Sequence, residues 1–247
     1  MIADVLRSRI LSGELKDGDL LPKQEEILDE FRVSKPSVRE AFRILETEGL
    51  ITVRRGNVGG SVVHVPKTEL VTYMLALVLQ VRGVTLADAG AALRQLEPAA
   101  AALCASRVDR HEKVVPLIRS AHEQLERALR DGDEMAAIHA SRRFHELVVE
   151  CCGNETMRVV VGTVEGLWSA HEEAWAAEAT RLGHFPDAAA GARALDEHGE
   201  VLALIEAGDA DGVASAARRH LESSQQFPLG SSDRAIDSTA MRSGTTG

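Results

Sequence analysis

Ser34-Lys35-Pro36-Ser37-Val38-Arg39-Glu40-Ala41-Phe42-Arg43 has the layout of a short amphipathic helix with one basic edge. Ser34 stands where a hydroxyl caps a first turn, and Pro36 is tolerated there because the amide it lacks has no intrahelical partner. Val38, Ala41, Phe42 and Leu45 recur at helical spacing and predict one apolar stripe for packing against a core. Lys35, Arg39 and Arg43 line up along an adjacent face at four-residue intervals. An isolated basic stripe also reads as a merely solvated face, so the flanking sequence decides between the two.

Upstream, Ile2, Val5, Leu6 and Ile10 form the apolar face of a first helix that stops at Gly13, and Gly18 with Pro22 marks a turn. A short second helix is predicted over residues 23–31, burying Ile27, Leu28 and Phe31, and Arg32-Val33 connects it to the basic helix. Two helices joined this tightly, the second carrying outward cations, form a helix-turn-helix whose second helix enters the major groove. Downstream, Gly49 ends the basic helix, and residues 50–53 and 61–65 have the β-branched character of strands. The loop Arg54-Arg55-Gly56-Asn57-Val58-Gly59-Gly60 between them supplies two cations and glycines that let backbone approach a sugar-phosphate chain. The pattern is a winged helix-turn-helix, with Arg32, Lys35, Arg39, Arg43, Arg54 and Arg55 as its candidate DNA-binding cations.

These residues resemble a known family. Gly13-Glu14-Leu15, Gly18-Asp19-Leu20-Leu21-Pro22, the run Phe31 to Ala41, and Glu48-Gly49-Leu50-Ile51 followed by the glycine wing look like the DNA-binding domain of GntR-type bacterial transcriptional regulators. The resemblance implies that Lys35, Ser37 and Arg39 meet base edges and nearby phosphates, and that Gly56 sits at a wing tip reaching the minor groove. Two positions depart from the family's pattern: Glu25 replaces an arginine of the second helix, and Arg32 replaces the usual turn glycine.

The chain has 247 residues and a formal net charge of −10, but the charge is unevenly divided. Residues 1–66 hold 10 Lys and Arg against 11 Asp and Glu, so the acidity belongs almost entirely to the remainder. Residues 32–55 carry a local excess of +3, where phosphates would be met, while an acidic body discourages non-specific contact elsewhere. No apolar run reaches the roughly 20 residues needed to span a bilayer. The first residues lack a signal-peptide layout, and Cys104, Cys151 and Cys152 form no CxxC spacing or even disulfide framework. A cytoplasmic protein with no membrane partner is expected.

After the linker at Pro66 the pattern turns wholly helical. Helices are predicted near 69–81, 86–108, 111–131, 133–151, 155–181, 188–207 and 210–225, punctuated by Gly83, Gly132, Gly153-Asn154, Gly183 to Pro186 and Gly208. The expected fold is mainly α: a winged helix-turn-helix over 1–66, an all-α bundle of about seven helices for effector binding and dimerisation over 67–228, and a disordered tail over 229–247 rich in Ser, Gly and Thr.

His145, His198 and His220 each fall on an apolar stripe of a separate predicted helix. Such histidines read either as hydrogen-bonded core residues or as converging ligands for Zn²⁺, Ni²⁺ or a similar divalent ion. Leu93-Arg94-Gln95-Leu96-Glu97-Pro98, Phe144-His145, Gly153-Asn154, Glu197-His198 and Arg219-His220-Leu221 are similar to the effector domain, called FCD, of the FadR branch of GntR regulators. Many members bind a divalent metal through one aspartate and three histidines, and an effector carboxylate completes the coordination. The resemblance assigns the histidines to His145, His198 and His220, and places Ser141 where the aspartate would stand. Arg94 reads as a clamp for an effector carboxylate or as a surface ion pair with Glu97; His171, on a stripe with Val164, Trp168 and Trp175, reads as a cavity residue or a core residue bonded to backbone.

The sequence thus predicts a homodimeric regulator, a repressor in its simplest form. It would bind a pseudo-palindromic double-stranded operator and respond to a small carboxylic acid held in the helical domain, through a metal where one binds. Two alternatives use the same histidines: a regulator that senses the metal ion itself, and a three-histidine metallohydrolase, for which the sequence offers no nearby general base and no use for a winged helix.

Overall fold

In the computed structural model, which describes residues 2–54, 60–182, 188–225 and 233–242, the chain divides into two units, Met1–Lys67 and Thr68–Gly247. The first is built from α1 (Ile2–Leu11), α2 (Gln24–Phe31), α3 (Lys35–Thr47), β1 (Ile51–Arg54) and β2 (Gly60–Val63). Leu6, Ile10, Ile27, Val38, Ala41, Leu45, Ile51 and Val63 form its aliphatic core. Outside that core, Arg7 grips Glu48 bidentately, with Nε and Nη2 donating at 2.9 and 2.6 Å, and so ties α1 to the end of α3. The two strands pair antiparallel from Ile51 opposite Val63 to Arg54 opposite Gly60.

The stretch expected only as a turn adds a third strand position to this hairpin. Leu20 bridges Val62, the Leu21 amide donates to the Ser61 carbonyl at 2.8 Å, and the Val63 amide donates to the Asp19 carbonyl at 2.8 Å. Ser34 does occupy the N-cap position of α3 with extended backbone, but its hydroxyl makes no cap bond and meets the Ser37 hydroxyl at 2.9 Å instead. Arg32, at φ 52°, is the one non-glycine residue with positive φ among the described residues. It closes α2 in the left-handed region that glycine favours. Arg55 and Gly56, the expected wing tip, lie outside the described residues.

The second unit is helical: α4 (Thr68–Val81), α5 (Leu86–Ser106), α6 (Arg110–Lys113), α7 (Val115–Asp131), α8 (Glu134–Glu150), α9 (Glu155–Leu182), α10 (Ala188–Ala207), α11 (Ala210–Ser224) and a closing 3₁₀ turn, Ser238–Arg242. α5 is the hub, packing against α8, α9, α10 and α11. Ala100, Ala101, Cys104, Ile118, Phe144, Leu147, Val148, Leu202, Ile205 and Val213 fill the main core. The helix predicted over 111–131 is broken at Val114, because Pro116 brings no N–H to the ladder and opens a new first turn. Aspartates fix two other starts: Asp133 accepts from the Ala136 amide at 3.0 Å and Asp209 from the Gly212 amide at 2.9 Å. Cys104, Cys151 and Cys152 are free and buried.

The tail expected to be disordered is packed where it is described. Residues 233–242 fold back so that Ile236, only 1% exposed, fills a cluster with Ala76, Ala89 and Leu167. Backbone bonds add to this, from the Leu86 amide to the Arg234 carbonyl at 3.0 Å and from the Ile236 amide to the Val84 carbonyl at 2.9 Å. One isoleucine with a strand-like bridge outweighs the polar composition around it. Residues 226–232 and 243–247 lie outside the described ones.

Candidate functional site

α3 presents its cations as its periodicity requires. Val38 and Leu45 are fully buried while Lys35, Ser37, Arg39 and Arg43 are exposed, and Arg32 and Arg54 are exposed beside them. Arg43 is 81% exposed and lies 3.8 Å from Glu40 on its own helix; Lys35 and Arg39 have no carboxylate partner among the described residues. A row of exposed cations on the second helix of a winged helix-turn-helix is an arrangement for meeting phosphates and base edges.

In the second unit, α8, α10 and α11 bring His145, His198 and His220 together. The edges of the Nε2 triangle are 3.0 Å (His198 to His220), 3.3 Å (His145 to His220) and 3.4 Å (His145 to His198). A tetrahedral ion with metal–nitrogen bonds of about 2.0–2.1 Å needs nitrogen–nitrogen edges of about 3.3–3.4 Å; two edges of the triangle match, and the third, 3.0 Å between His198 and His220, is about 0.3 Å shorter. The opposite ring faces are anchored unequally. His145 Nδ1 lies 2.6 Å from Glu97 Oε1, and His220 Nδ1 lies 2.7 Å from Glu197 Oε2, which also accepts from the Ser223 hydroxyl at 2.7 Å. In each pair the Nδ1–H donates to the carboxylate, which turns the Nε2 edge of the ring toward its neighbours. His198 is held differently: its ring stacks on Phe144 with centroids 4.0 Å apart and planes 2° from parallel, and its buried Nδ1 has no hydrogen-bond partner among the described residues.

The electrostatics follow from this unequal anchoring. Burial pushes the His145 pKa down, but Glu97, helped by Glu165 and Glu172, overrides it and raises the imidazole to about 9. Burial and the His145 charge depress His220 to about 4 against the pull of Glu197, and burial with the neighbouring imidazoles depresses His198. Without a metal the trio therefore holds one proton-rich member, His145, facing two acceptor nitrogens. Burial also raises Glu165 to about 7, although the Ser169 hydroxyl donates to it at 2.6 Å.

The other expected site residues fare differently. Ser141 is half-buried one turn before His145, and no Asp or Glu of the described residues joins the histidine cluster as a ligand. Arg94 makes no pair with Glu97, which is committed to His145; its guanidinium donates to Gln225 Oε1 at 2.5 Å. His171 is not free for an effector: its Nδ1 donates to the Leu167 carbonyl at 2.8 Å, and its Nε2 accepts from the Asp237 amide at 3.0 Å. Both ring nitrogens thus serve the backbone, the core alternative.

The sequence names Glu97 only as a surface partner of Arg94 and Glu197 only beside His198, not as the carboxylates behind His145 and His220, and it does not single out Gln225. It also missed His122, whose imidazole lies against the α10 backbone at Gly199, next to His198, with its Nδ1 buried and without a partner among the described residues.

A winged helix with an exposed basic face, joined in one chain to a helical domain enclosing a histidine cluster, defines a DNA-binding transcriptional regulator. Residues 1–60 match the family "Bacterial regulatory proteins, gntR family" and residues 88–223 match the "FCD domain". The chain therefore belongs to the GntR family and carries an FCD domain. Across both units it is similar to the HTH-type transcriptional regulator LutR of Bacillus subtilis, 24% identical over 212 residues that cover 86% of this chain and 92% of LutR. Over a shorter stretch of 56 residues it is 38% identical to the HTH-type transcriptional repressor NanR of Klebsiella aerogenes, covering 23% of this chain and 22% of NanR. Several such short matches span only 22% to 25% of the curated relatives' lengths. A GntR structure from Streptococcus agalactiae shares the fold at a TM-score of 0.68 and 21% identity, over 91% of this chain and 97% of that one. These families and relatives are transcriptional regulators rather than enzymes. No helix among the described residues is long and apolar enough to cross a membrane.

Proposed function

We propose that this chain is a cytoplasmic, homodimeric repressor that binds a pseudo-palindromic operator through α3 and its wing and is released by a small carboxylic acid in the helical domain. The observation that carries the sensor half is the histidine triangle, with its three edges of 3.0–3.4 Å and two carboxylate-anchored rings inside a domain tied to a DNA-reading unit. His145, His198 and His220 would hold Zn²⁺ or Ni²⁺, and the bound ion would supply a Lewis-acid anchor for a carboxylate oxygen. Ser141, in place of an anionic ligand, leaves that side of the site open to the effector. Glu97 and Glu197 supply negative charge from behind the rings.

Dimerisation follows from reading DNA with one helix per copy, since half-sites a helical turn apart require two. An apolar face of α4 supports it: Leu70, Val71, Met74, Val78 and Val81 lie along one side and are 44% to 89% exposed. Regulation then rests on linkage, in which an acid that prefers the DNA-incompetent arrangement weakens operator binding by its ratio of affinities.

The test titrates zinc and a panel of small carboxylic acids, separately and together, against operator binding measured by fluorescence anisotropy. Release by an acid, lost in His145→Ala, is the expected result. Release by zinc alone would instead make the chain a metal sensor, and indifference to both would refute the sensor reading.

A further inference from the structure

Residues 233–242 cross three helices of the helical unit and hold each by a different contact. On α5, Thr85 stands at the N-cap with no side-chain cap bond, and the Arg234 carbonyl takes that role by accepting from the Leu86 amide at 3.0 Å. The Ile236 amide returns a bond to the Val84 carbonyl at 2.9 Å, so Ala235 pairs antiparallel with Thr85. A helix start, where amides lack intrahelical partners, is thus finished by the chain's own tail. On α9, the Asp237 amide donates to His171 Nε2 at 3.0 Å, and the Leu167 carbonyl fixes that tautomer by accepting from Nδ1 at 2.8 Å. On α4, the Ser238 amide donates to Gln80 Oε1 at 3.0 Å.

The apolar contact is a single plug. Ile236 fills a slot walled by Ala76 of α4, Ala89 of α5 and Leu167 of α9, with Leu79, Val84 and Leu86 packed beside them. Two of the three walls are alanines, which leave the volume that one branched side chain occupies. The outer ion pair of the segment, Arg234 to Glu178 at 3.8 Å, is exposed. One buried isoleucine and a few backbone bonds are set against the ordering entropy of the whole segment, which leaves little net gain. Attachment is therefore readily reversed without unfolding the bundle, whose main core lies among α5, α7, α8, α10 and α11.

We infer that this segment is a strap that fastens α4 to α5 and α9, and that its attachment tunes the affinity of the DNA-reading unit. α4 begins at Thr68, directly after Lys67, the last residue of the first unit, and so is the covalent connection between the two. With the strap attached, α4 is tied at Ala76 and Gln80. With it released, the helix gains freedom that operator binding must remove, and affinity falls. Ala240 and Met241 of the closing 3₁₀ turn also line a cavity of about 680 Å³ with Thr72 of α4 and Gly166 and Ala170 of α9, so the strap walls that cavity as well. Neither a metal nor an effector is needed for these contacts.

The experiment compares the full chain with a chain ending at Gly230 and with Ile236→Asp, all free of metal and effector. Hydrogen exchange read by mass spectrometry should show α4 amides exchanging about tenfold faster or more in both variants, with α1 to α3 unchanged. Operator affinity, measured by fluorescence anisotropy, should fall about fivefold or more in both. A synthetic peptide of residues 231–247, added to the shortened chain, should restore both readings saturably, and the same peptide carrying Ile236→Asp should not. Unchanged α4 exchange would overturn the strap, as would faster exchange with operator affinity unmoved or increased. A shortened chain whose whole helical unit unfolds by circular dichroism would also overturn it, since the segment would then be core. If Ile236→Asp alone fails to fold, Gln80→Ala, which removes one anchor and keeps the plug, decides: faster α4 exchange in a folded unit supports the strap, and no change overturns it.

Discussion

The two units place their functional side chains in opposite environments. On α3, Lys35 and Arg39 stand in solvent with no carboxylate partner, and the helix is held by Val38, Ala41 and Leu45 on its other side. In the helical unit, His198, His220 and Glu97 are at most 3% exposed, and their polar atoms are part of the packing. Recognition and stability are therefore separable in the first unit and fused in the second. A surface that must meet a polyanion can be replaced without loss of fold, whereas a buried polar cluster contributes to stability only while every member has its partner.

The most severe break of this contrast comes from Glu97→Ala. It leaves His145 without the carboxylate that sustains its charge, and loss of one partner of a buried pair costs about 3–5 kcal/mol. Urea denaturation of the metal-free protein should show a destabilisation of that order, with the sequence-specific contacts of α3 unchanged in the fraction that stays folded. Arg39→Ala should do the reverse. If Arg39 reads a guanine, operator affinity falls by about 1–3 kcal/mol and preference at that base relaxes, while the urea midpoint stays put. An Arg39 variant that lost stability, or kept full operator affinity and preference, would break the separation on that side.

Acidity probes the buried side more gently. The His145 pKa is raised from 6.5 to about 9, so the stability drawn from its pairing with Glu97 is fully present below pH 6.5 and is lost as pH rises through about 9. His220, lowered from 6.5 to about 4, works in the other sense: its contribution is present above pH 6.5 and is lost as pH falls through about 4. Metal binding must displace the His145 proton, so apparent zinc affinity should rise about tenfold, or about 1.4 kcal/mol, for each pH unit from 6.5 toward 9. Competition with a calibrated chelator across that range measures the slope. A flat profile would mean that His145 enters the site already neutral.

The smallest effect concerns Arg32, whose left-handed backbone costs an L-residue roughly 1 kcal/mol that glycine does not incur. Arg32→Gly should stabilise the first unit by about that amount and weaken DNA binding through the lost cation, which a melting curve and a salt titration of operator affinity would separate.

What could be read from the sequence followed how local the information was. α3 and the β1–β2 hairpin are written in residues three to twelve apart, and their periodicity was sufficient. The strand position at Leu20 was invisible because a single bridged residue has no pattern. Pro116 signalled the break between α6 and α7, but the apolar repeat across it masked the signal. The histidines were legible as members of apolar stripes, and the family resemblance named their trio. Their partners were not legible: Glu97 reaches His145 across 48 positions and Gln225 reaches Arg94 across 131, distances at which only the packing of α5 against α8 and α11 decides which groups meet. His171 misled for the same reason, since the tail that occupies its Nε2 arrives from 66 residues away.

The central claim is that His145, His198 and His220 form a metal site at the heart of the sensor. Anomalous diffraction from crystals of the zinc-loaded chain, collected on both sides of the zinc edge, tests it most directly. The account predicts one strong peak about 2.0–2.1 Å from all three Nε2 atoms, absent in His220→Ala. Crystals with no peak there, or with zinc bound only at other side chains such as Cys151 and Cys152, would contradict it.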